Sequence, residues 1–216
     1  LPGFLRRQIQ SMLTFFSLIG AFILLVINHN LRTITVGGAV AIDGPGVVLM
    51  GTILLLSLLS AFLIAERSLD SLGDAFAPSA SALPGSVDER EFSARGYFQT
   101  EVWTLFLFAV FGMLVFVVAN DLLFMFVALE VMSLPLYLMV GMARRRRLLS
   151  QEASLKYFVL GAFSSAFFIF GAGLVYGFAG SISLPVIHDS LASTTGETLL
   201  IVIGMASLPH ILLTLS

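Results

Sequence analysis

One acidic residue, Glu130, lies inside an apolar stretch that is long enough to cross a membrane. The stretch runs from Leu122 to Met142 and has no other charged side chain among its 21 residues. As a helix it would place Glu130 about 12 Å from Leu122, near the middle of the bilayer. A carboxylate at that depth costs about 2.5 to 3.5 kcal/mol to insert, and ionisable groups kept there belong mostly to ion or proton pathways. The sequence therefore predicts that Glu130 handles ions.

Pro135 lies five residues after Glu130 in the same stretch. Proline has no backbone N–H, so the carbonyl of Val131 loses its helical partner and the helix is expected to bend there. A freed carbonyl at membrane depth is tolerated where it is buried in protein or in contact with water. The alternatives are a packing kink at Pro135 and a purely structural buried acid at Glu130.

A second pair of charged residues, Glu152 and Lys156, lies four residues apart on one predicted helix face. One interpretation is an ion pair at a helix end, with Lys156 extending its ammonium group toward the cytoplasm. The other is that Lys156 exchanges protons with water on that side. Since Lys156 lies near the boundary and Glu130 near the middle, a water molecule or a polar side chain is expected between them. Ser164 and Ser165 of the same helix are candidates to hold water.

The composition predicts an integral membrane protein. Of the 216 residues 58% are apolar and 11% are charged, and the mean hydropathy is +1.01. A water-solvated domain needs a more polar surface. A nucleic-acid-binding role is not expected, because the few charges fall in short connections rather than on a basic face. With no cysteine and three scattered histidines, the chain itself is expected to hold no redox cofactor and no metal.

The apolar runs predict an all-α fold, a polytopic transmembrane bundle with six spans in a single domain. The spans are Ser11–Ile27, Gly46–Ala65, Val102–Ala119, Leu122–Met142, Leu155–Phe178 and Thr198–Leu215. Only Asn120 and Asp121 part the third span from the fourth, so a tight hairpin with Asp121 as N-cap is expected. Both ends look cut, which indicates that residues 1–216 are part of a longer subunit.

Clusters of basic residues occur in alternate connections, with Arg32 alone in the second connection, and this pattern predicts the orientation. The basic connections hold Arg6 and Arg7, then Arg67, Arg90 and Arg95, then Arg144 to Arg147. By the positive-inside rule these connections are cytoplasmic, and the Arg144–Arg147 cluster is the strongest anchor. Phospholipid binding by this cluster is the alternative interpretation. The segment 66–100 is predicted to be a flexible cytoplasmic loop.

Three segments carry a resemblance to a known family. They are Leu-Glu-Val-Met-Ser-Leu-Pro-Leu-Tyr at 129–137, Glu-Ala-Ser-Leu-Lys-Tyr-Phe-Val-Leu-Gly at 152–161, and Tyr-Gly-Phe-Ala-Gly-Ser at 176–181. They resemble subunit N of bacterial NADH-quinone oxidoreductase, respiratory complex I. The resemblance is specific over residues 97–181, whereas residues 1–96 agree with the family only in topology.

The resemblance implies an antiporter-like fold made of inverted repeats, of which this chain would supply the second to the seventh helix. Glu130 matches the family's essential glutamate of the fifth helix, and Lys156 matches a lysine of the sixth. The family's central lysine on the broken seventh helix has no counterpart. Where it is expected, only Pro209 and His210 resemble the motif that follows it.

The function implied by the resemblance is proton translocation by a membrane-arm subunit of NADH:quinone oxidoreductase, an H⁺-translocating enzyme of the bacterial cell membrane. The expected partners are the other membrane-arm subunits, in a hetero-oligomer within the lipid bilayer. FMN, iron–sulfur clusters and quinone are implied for the complex and not for this chain. The alternatives are a subunit of a monovalent cation/proton antiporter and a structural assembly subunit that moves no ions.

Overall fold

The computed structural model describes residues 3–66, 76, 86–87, 91, 101–143 and 147–193. Within these ranges the chain is mostly helical, as predicted. The helices are α1 (Gly3–Ile27), α2 (Gly44–Ala65), α3 (Glu101–Val117), α4 (Leu122–Gly141), α5 (Arg147–Ala179) and α6 (Leu184–Ser193). Four of them, α1, α2, α4 and α5, are long and apolar enough to cross a membrane, and α3 is a shorter apolar helix of 17 residues.

Two predicted segments lie outside this description. The sixth predicted span, Thr198–Leu215, falls entirely beyond the described residues, and so does most of the 66–100 connection. The connection that follows α5 is not a plain loop, because it contains the ten-residue helix α6.

A small β-hairpin joins α1 to α2, and the all-α prediction is wrong for this segment. Strands β1 (Thr33–Thr35) and β2 (Val40–Ile42) pair antiparallel, with Thr33 opposite Ile42. The segment is rich in β-branched side chains, which favour extended backbone. Gly37 and Gly38 take positive φ angles of 63° and 99° in the turn, a conformation that glycine adopts without steric cost.

The predicted hairpin between α3 and α4 is confirmed. Asp121 is the N-cap of α4, and its Oδ1 accepts a hydrogen bond from the backbone N–H of Phe124 at 2.6 Å. The two helices approach closely at Gly112, where an added Cβ would lie 2.5 Å from the backbone nitrogen of Met132. Because that neighbour is backbone and cannot rotate away, glycine is required there.

Helices α1, α2 and α3 share one apolar core. Its buried residues are Leu18, Leu54, Ala61, Trp103, Phe106 and Val110. The ring of Phe15 on α1 lies 4.7 Å from that of Phe62 on α2 and 6.3 Å from that of Trp103 on α3. Helix α4 then packs between α3 and α5.

Asn120 connects three turns at one end of the bundle. Its backbone N–H donates to the carbonyl of Ala39 at 2.7 Å, and its side-chain amide donates to the carbonyl of Gly38 at 2.8 Å. Its own carbonyl accepts from the N–H of Leu184 at 3.1 Å. These bonds join the β-hairpin, the α3–α4 turn and the α5–α6 turn. We refer to this as the Asn120 end, and to the opposite end, where α4 finishes and α5 begins, as the Gly141 end.

Candidate functional site

Glu130 lies on the face of α4 that packs against α5, and its carboxylate contacts a serine of that helix. The hydroxyl of Ser165 donates a hydrogen bond to Oε1 of Glu130. Ser165 is 9% exposed, and Leu129, the residue before Glu130 on α4, is buried at 4%. A hydroxyl can donate to a carboxylate and accept from a carboxylic acid. Ser165 can therefore stay bonded to Glu130 in either protonation state.

Lys156 lies on the opposite side of α5 from this contact. Nine residues separate Lys156 from Ser165, which corresponds to roughly 180° around the helix and about 13 Å along it. The ammonium group of Lys156 bonds Oε1 of Glu152 at 2.5 Å, and the two side chains are 69% and 56% exposed. The structure brings Ser165 to Glu130 and does not bring Lys156 there.

The other two predicted site residues are buried near Glu130. Ser164 is 8% exposed, and Pro135 is buried inside α4, which continues through it as one helix. The functional roles of Glu130, Lys156, Glu152, Pro135, Ser164 and Ser165 stay predictions.

Two polar residues that sequence reasoning did not select lie on the same face of α4 as Glu130. Ser133 and Tyr137 follow it by one and two turns toward the Gly141 end. The hydroxyl of Ser133 donates to the backbone carbonyl oxygen of Glu130 at 3.4 Å. Both residues are buried. Their spacing of three and seven residues from Glu130 is the signal that could have revealed them.

Tyr137 is held by α5 on two sides. Its phenol oxygen occupies the space in which a β-carbon of Gly161 would lie. Its backbone carbonyl accepts a hydrogen bond from the hydroxyl of Ser154 at 2.6 Å. The rings of Tyr157 and Phe158 meet its ring edge-on at 4.7 and 5.9 Å. Because Gly161 has no side chain, the surface of α5 has a recess there that holds the phenol of Tyr137.

A cavity opens between α3, α4 and α5 at the Gly141 end. It has a volume of about 580 Å³, and Tyr137 forms part of its wall. Its polar lining comes from Glu101 at the start of α3 and from Gln151 and Ser154 on the first turns of α5. The cavity thus connects the surface of the Gly141 end with the buried phenol.

The side of Glu130 that faces the Asn120 end is apolar. Phe126 lies one turn before Glu130 on α4, and Phe168 lies one turn after Ser165 on α5. Their rings stack at 6.0 Å with 28° between the planes. Phe168 and Leu129 are buried, and Phe116 and Met125 pack against them. Water has no polar partner in such a cluster.

The described residues contain no group of three or more His, Cys, Asp or Glu side chains that could hold a metal ion. The chemistry available at the site is therefore carried by a carboxyl group and hydroxyl groups, which exchange protons.

The chain is similar to a family of membrane proteins and, more specifically, to one subunit within it. A family model described as "NADH:quinone oxidoreductase/Mrp antiporter, TM" matches residues 119–213, which include α4 and α5. The chain is 52% identical over 227 residues to NADH-quinone oxidoreductase subunit N of Rhodococcus opacus (strain B4), an alignment that covers 96% of the chain and 42% of that relative. The resemblance drawn from the residues is confirmed: the chain is homologous to this subunit.

Solved structures agree on the fold. A chain of respiratory complex I from Thermus thermophilus with bound aureothin matches with a TM-score of 0.68 and 30% identity, over 94% of this chain and 37% of that chain. The membrane-bound sulfane sulfur reductase, an archaeal respiratory membrane complex, shares the fold with a TM-score of 0.62 and 18% identity. This chain spans about two-fifths of the length of the relatives that it matches.

Proposed function

We propose that this chain is part of the proton-translocating membrane arm of an NADH:quinone oxidoreductase. The observation that carries the proposal is the carboxyl group of Glu130, which lies between two membrane-length helices with a hydrogen bond from Ser165. A carboxyl group at that depth that keeps a hydroxyl partner in both protonation states can store and release a proton.

The complete subunit would have the six spans predicted from the sequence in this part, in an antiporter-like fold. It would lie in the bacterial cell membrane with the Arg144–Arg147 connection in the cytoplasm. The described helices are consistent with this orientation, because Arg6 and Arg7 at the start of α1 lie at the same end as that connection. The Gly141 end is then cytoplasmic and the Asn120 end faces outward.

The subunit would work in a hetero-oligomer whose other subunits hold FMN, iron–sulfur clusters and the quinone site. Electron transfer from NADH to quinone supplies the free energy, and this chain contributes proton movement without binding a redox group. Lys156 and Glu152 would act at the cytoplasmic boundary, on the face of α5 turned away from Glu130. In the complete subunit that face is available for the helices that this chain does not include.

A cation/proton antiporter subunit is the second candidate, because the matching family model also covers Mrp antiporters. The two candidates differ in what drives the ion. The respiratory subunit pumps protons only while NADH is oxidised, whereas an antiporter responds to an imposed Na⁺ or K⁺ gradient without NADH.

The test is Glu130→Gln in the assembled complex. Glutamine keeps the size and the hydrogen-bonding capacity of the side chain but cannot titrate. We expect normal assembly with pumping reduced by about a hundred-fold or more, the contribution typical of a positioned proton-transfer group. Asp189→Asn, a matched acid-to-amide change at a side chain of α6 that is 85% exposed, is the control. Wild-type pumping in the fully assembled glutamine variant would refute the proposal.

A further inference from the structure

We infer that protons reach Glu130 from the Gly141 end through the cavity beside Tyr137, and that the hydroxyl of Tyr137 relays them. This rests on the proposed function and adds to it an entry, a relay residue and a direction. Two observations support it. On one side of Glu130 a cavity reaches the buried phenol of Tyr137, and on the other side the rings of Phe126 and Phe168 stack.

The entry is the 580 Å³ cavity at the Gly141 end. This volume holds several water molecules, each of which takes up about 30 Å³ in the liquid. The carboxylate of Glu101 and the polar groups of Gln151 and Ser154 give these waters hydrogen-bond partners. A carboxylate at a cavity mouth also raises the local concentration of cations, protons included.

The relay begins where the cavity meets Tyr137. The buried phenol borders the cavity, and its oxygen lies in the recess at Gly161, one helical turn from Ser165. This oxygen accepts a proton from a cavity water and releases its own proton toward Glu130, so Tyr137 keeps no net charge. The step needs no oxidant and no second substrate.

The last gap is short enough for one water molecule. The phenol oxygen lies in the recess at Gly161, and Ser165 is four residues further along the same face of α5. Four residues correspond to about 6 Å along a helix, which is the length of two hydrogen bonds in series. A water bridging the phenol and the Ser165–Glu130 pair would therefore complete the line to the carboxyl group.

The opposite direction is apolar in the part of the chain that the structure describes. Beyond Glu130 the α4–α5 face carries Phe126 and Phe168, and then a second apolar cluster formed by Leu122, Val175 and Ile187. A smaller pocket of about 240 Å³ at this end has a mostly apolar lining. Apolar side chains do not pass a proton or hold an ordered water. In this arrangement Glu130 exchanges protons with the Gly141 end, and release toward the Asn120 end must use another route or another conformation.

The first experiment tests the cavity in inverted membrane vesicles that contain the assembled complex, with the cytoplasmic face outward. The chain has no cysteine of its own. Ser154→Cys places a thiol in the cavity, and Ala153→Cys places one at the same depth on an exposed face outside it. A membrane-impermeant thiol reagent should lower the number of protons pumped per NADH in the first variant several-fold and leave the second unchanged, relative to the unsubstituted complex.

The second experiment tests the relay. Tyr137→Phe keeps the ring but removes the hydroxyl, and we expect pumping to fall about ten-fold or more. Formate, a small weak acid that fits the cavity, should restore part of this loss, which it cannot do for a packing defect. Tyr176→Phe, on the exposed outer half of α5, is the control and should pump normally with and without formate.

The outcomes separate the relay from the proposed function. If Glu130→Gln stops pumping while Tyr137→Phe and the modified Ser154→Cys variant pump at wild-type rates, Glu130 carries protons and the entry is elsewhere. Loss of pumping in Tyr137→Phe without rescue by formate would likewise contradict the relay and assign Tyr137 a packing role. Normal pumping in Glu130→Gln would overturn the proposed function itself.

Discussion

Helices α4 and α5 face each other along their whole contact, yet the two halves of that contact differ. Toward the Gly141 end the facing residues are Ser133, Tyr137 and Ser154, next to an open cavity. Toward the Asn120 end they are Phe126 and Phe168, which stack. The backbone is helical in both halves, so side-chain type alone determines which half can hold water.

The ends of the bundle repeat this difference. At the Asn120 end, hydrogen bonds from Asn120 join the β-hairpin, the α3–α4 turn and the α5–α6 turn. At the Gly141 end, the cavity separates the start of α3 from the start of α5. If Glu130 carries protons as proposed, this asymmetry gives it access to the Gly141 end in the arrangement described.

The largest effect is expected from opening the apolar half. Phe168→Ala removes one ring of the stack and should cost about 3 to 5 kcal/mol of stability, typical of a buried phenylalanine. If the complex still assembles, water should enter from the Asn120 end, so NADH oxidation continues while the proton gradient falls. Phe163→Ala, at an exposed position of the same helix, is the control. A normal proton gradient in a stable Phe168→Ala complex would mean that the Phe126–Phe168 stack does not block water from the Asn120 end.

A smaller effect is expected from filling the recess of the polar half. In Gly161→Ala the new methyl group collides with the phenol oxygen of Tyr137, and such overpacking costs about 1 to 3 kcal/mol. The phenol must then leave its position near the Ser165–Glu130 pair. The pumping rate should therefore fall to a value close to that of Tyr137→Phe. Gly173→Ala meets no atom within 4 Å and should be neutral or stabilising by about 0.5 to 1 kcal/mol. Equal pumping in Gly161→Ala and Gly173→Ala would show that proton transfer does not depend on the position of the Tyr137 phenol in the recess.

The smallest effect is expected from exchanging Glu152 and Lys156. Their ion pair is exposed and lies on the face of α5 away from Glu130. Reversing an exposed i, i+4 pair has little effect on stability, so assembly should be normal. If Lys156 only anchors the helix end, pumping should also be normal. A marked pumping defect with normal assembly would show that the proton-exchange interpretation of Lys156 is correct, and would add this face to the pathway.

Much of the fold could be predicted from the sequence because helix length and polarity dominate in a membrane. The apolar runs located α1 to α5 to within a few residues at most of their ends, and Asp121 identified the α3–α4 turn. The predicted spans begin eight residues after the starts of α1 and α5, since Gly3 to Gln10 and Arg147 to Ser154 are too polar for a span but still helical. The β-hairpin was missed because a search for long apolar runs passes over three-residue strands.

The site was predictable in part. Glu130 stands out because a charge in an apolar run is visible without a structure. Its partner Ser165 was selected only as a candidate water site, and Ser133 and Tyr137 were not selected, because serine and tyrosine are common in membrane helices. Their role depends on which face of α4 meets which face of α5, and that register is set by packing.

The central claim is that Glu130 takes up and releases a proton during turnover. The measurement is an infrared difference spectrum between the resting assembled complex and the same complex while it oxidises NADH. We expect a carboxylic-acid band in the wild type that is absent in Glu130→Gln. The band should shift in Ser165→Ala, because the hydrogen bond from the hydroxyl is lost. It should also shift when D₂O is added on the cytoplasmic side. Spectra of the wild type and of Glu130→Gln that are identical in this region would contradict it, since the carboxyl group would then keep one protonation state throughout turnover.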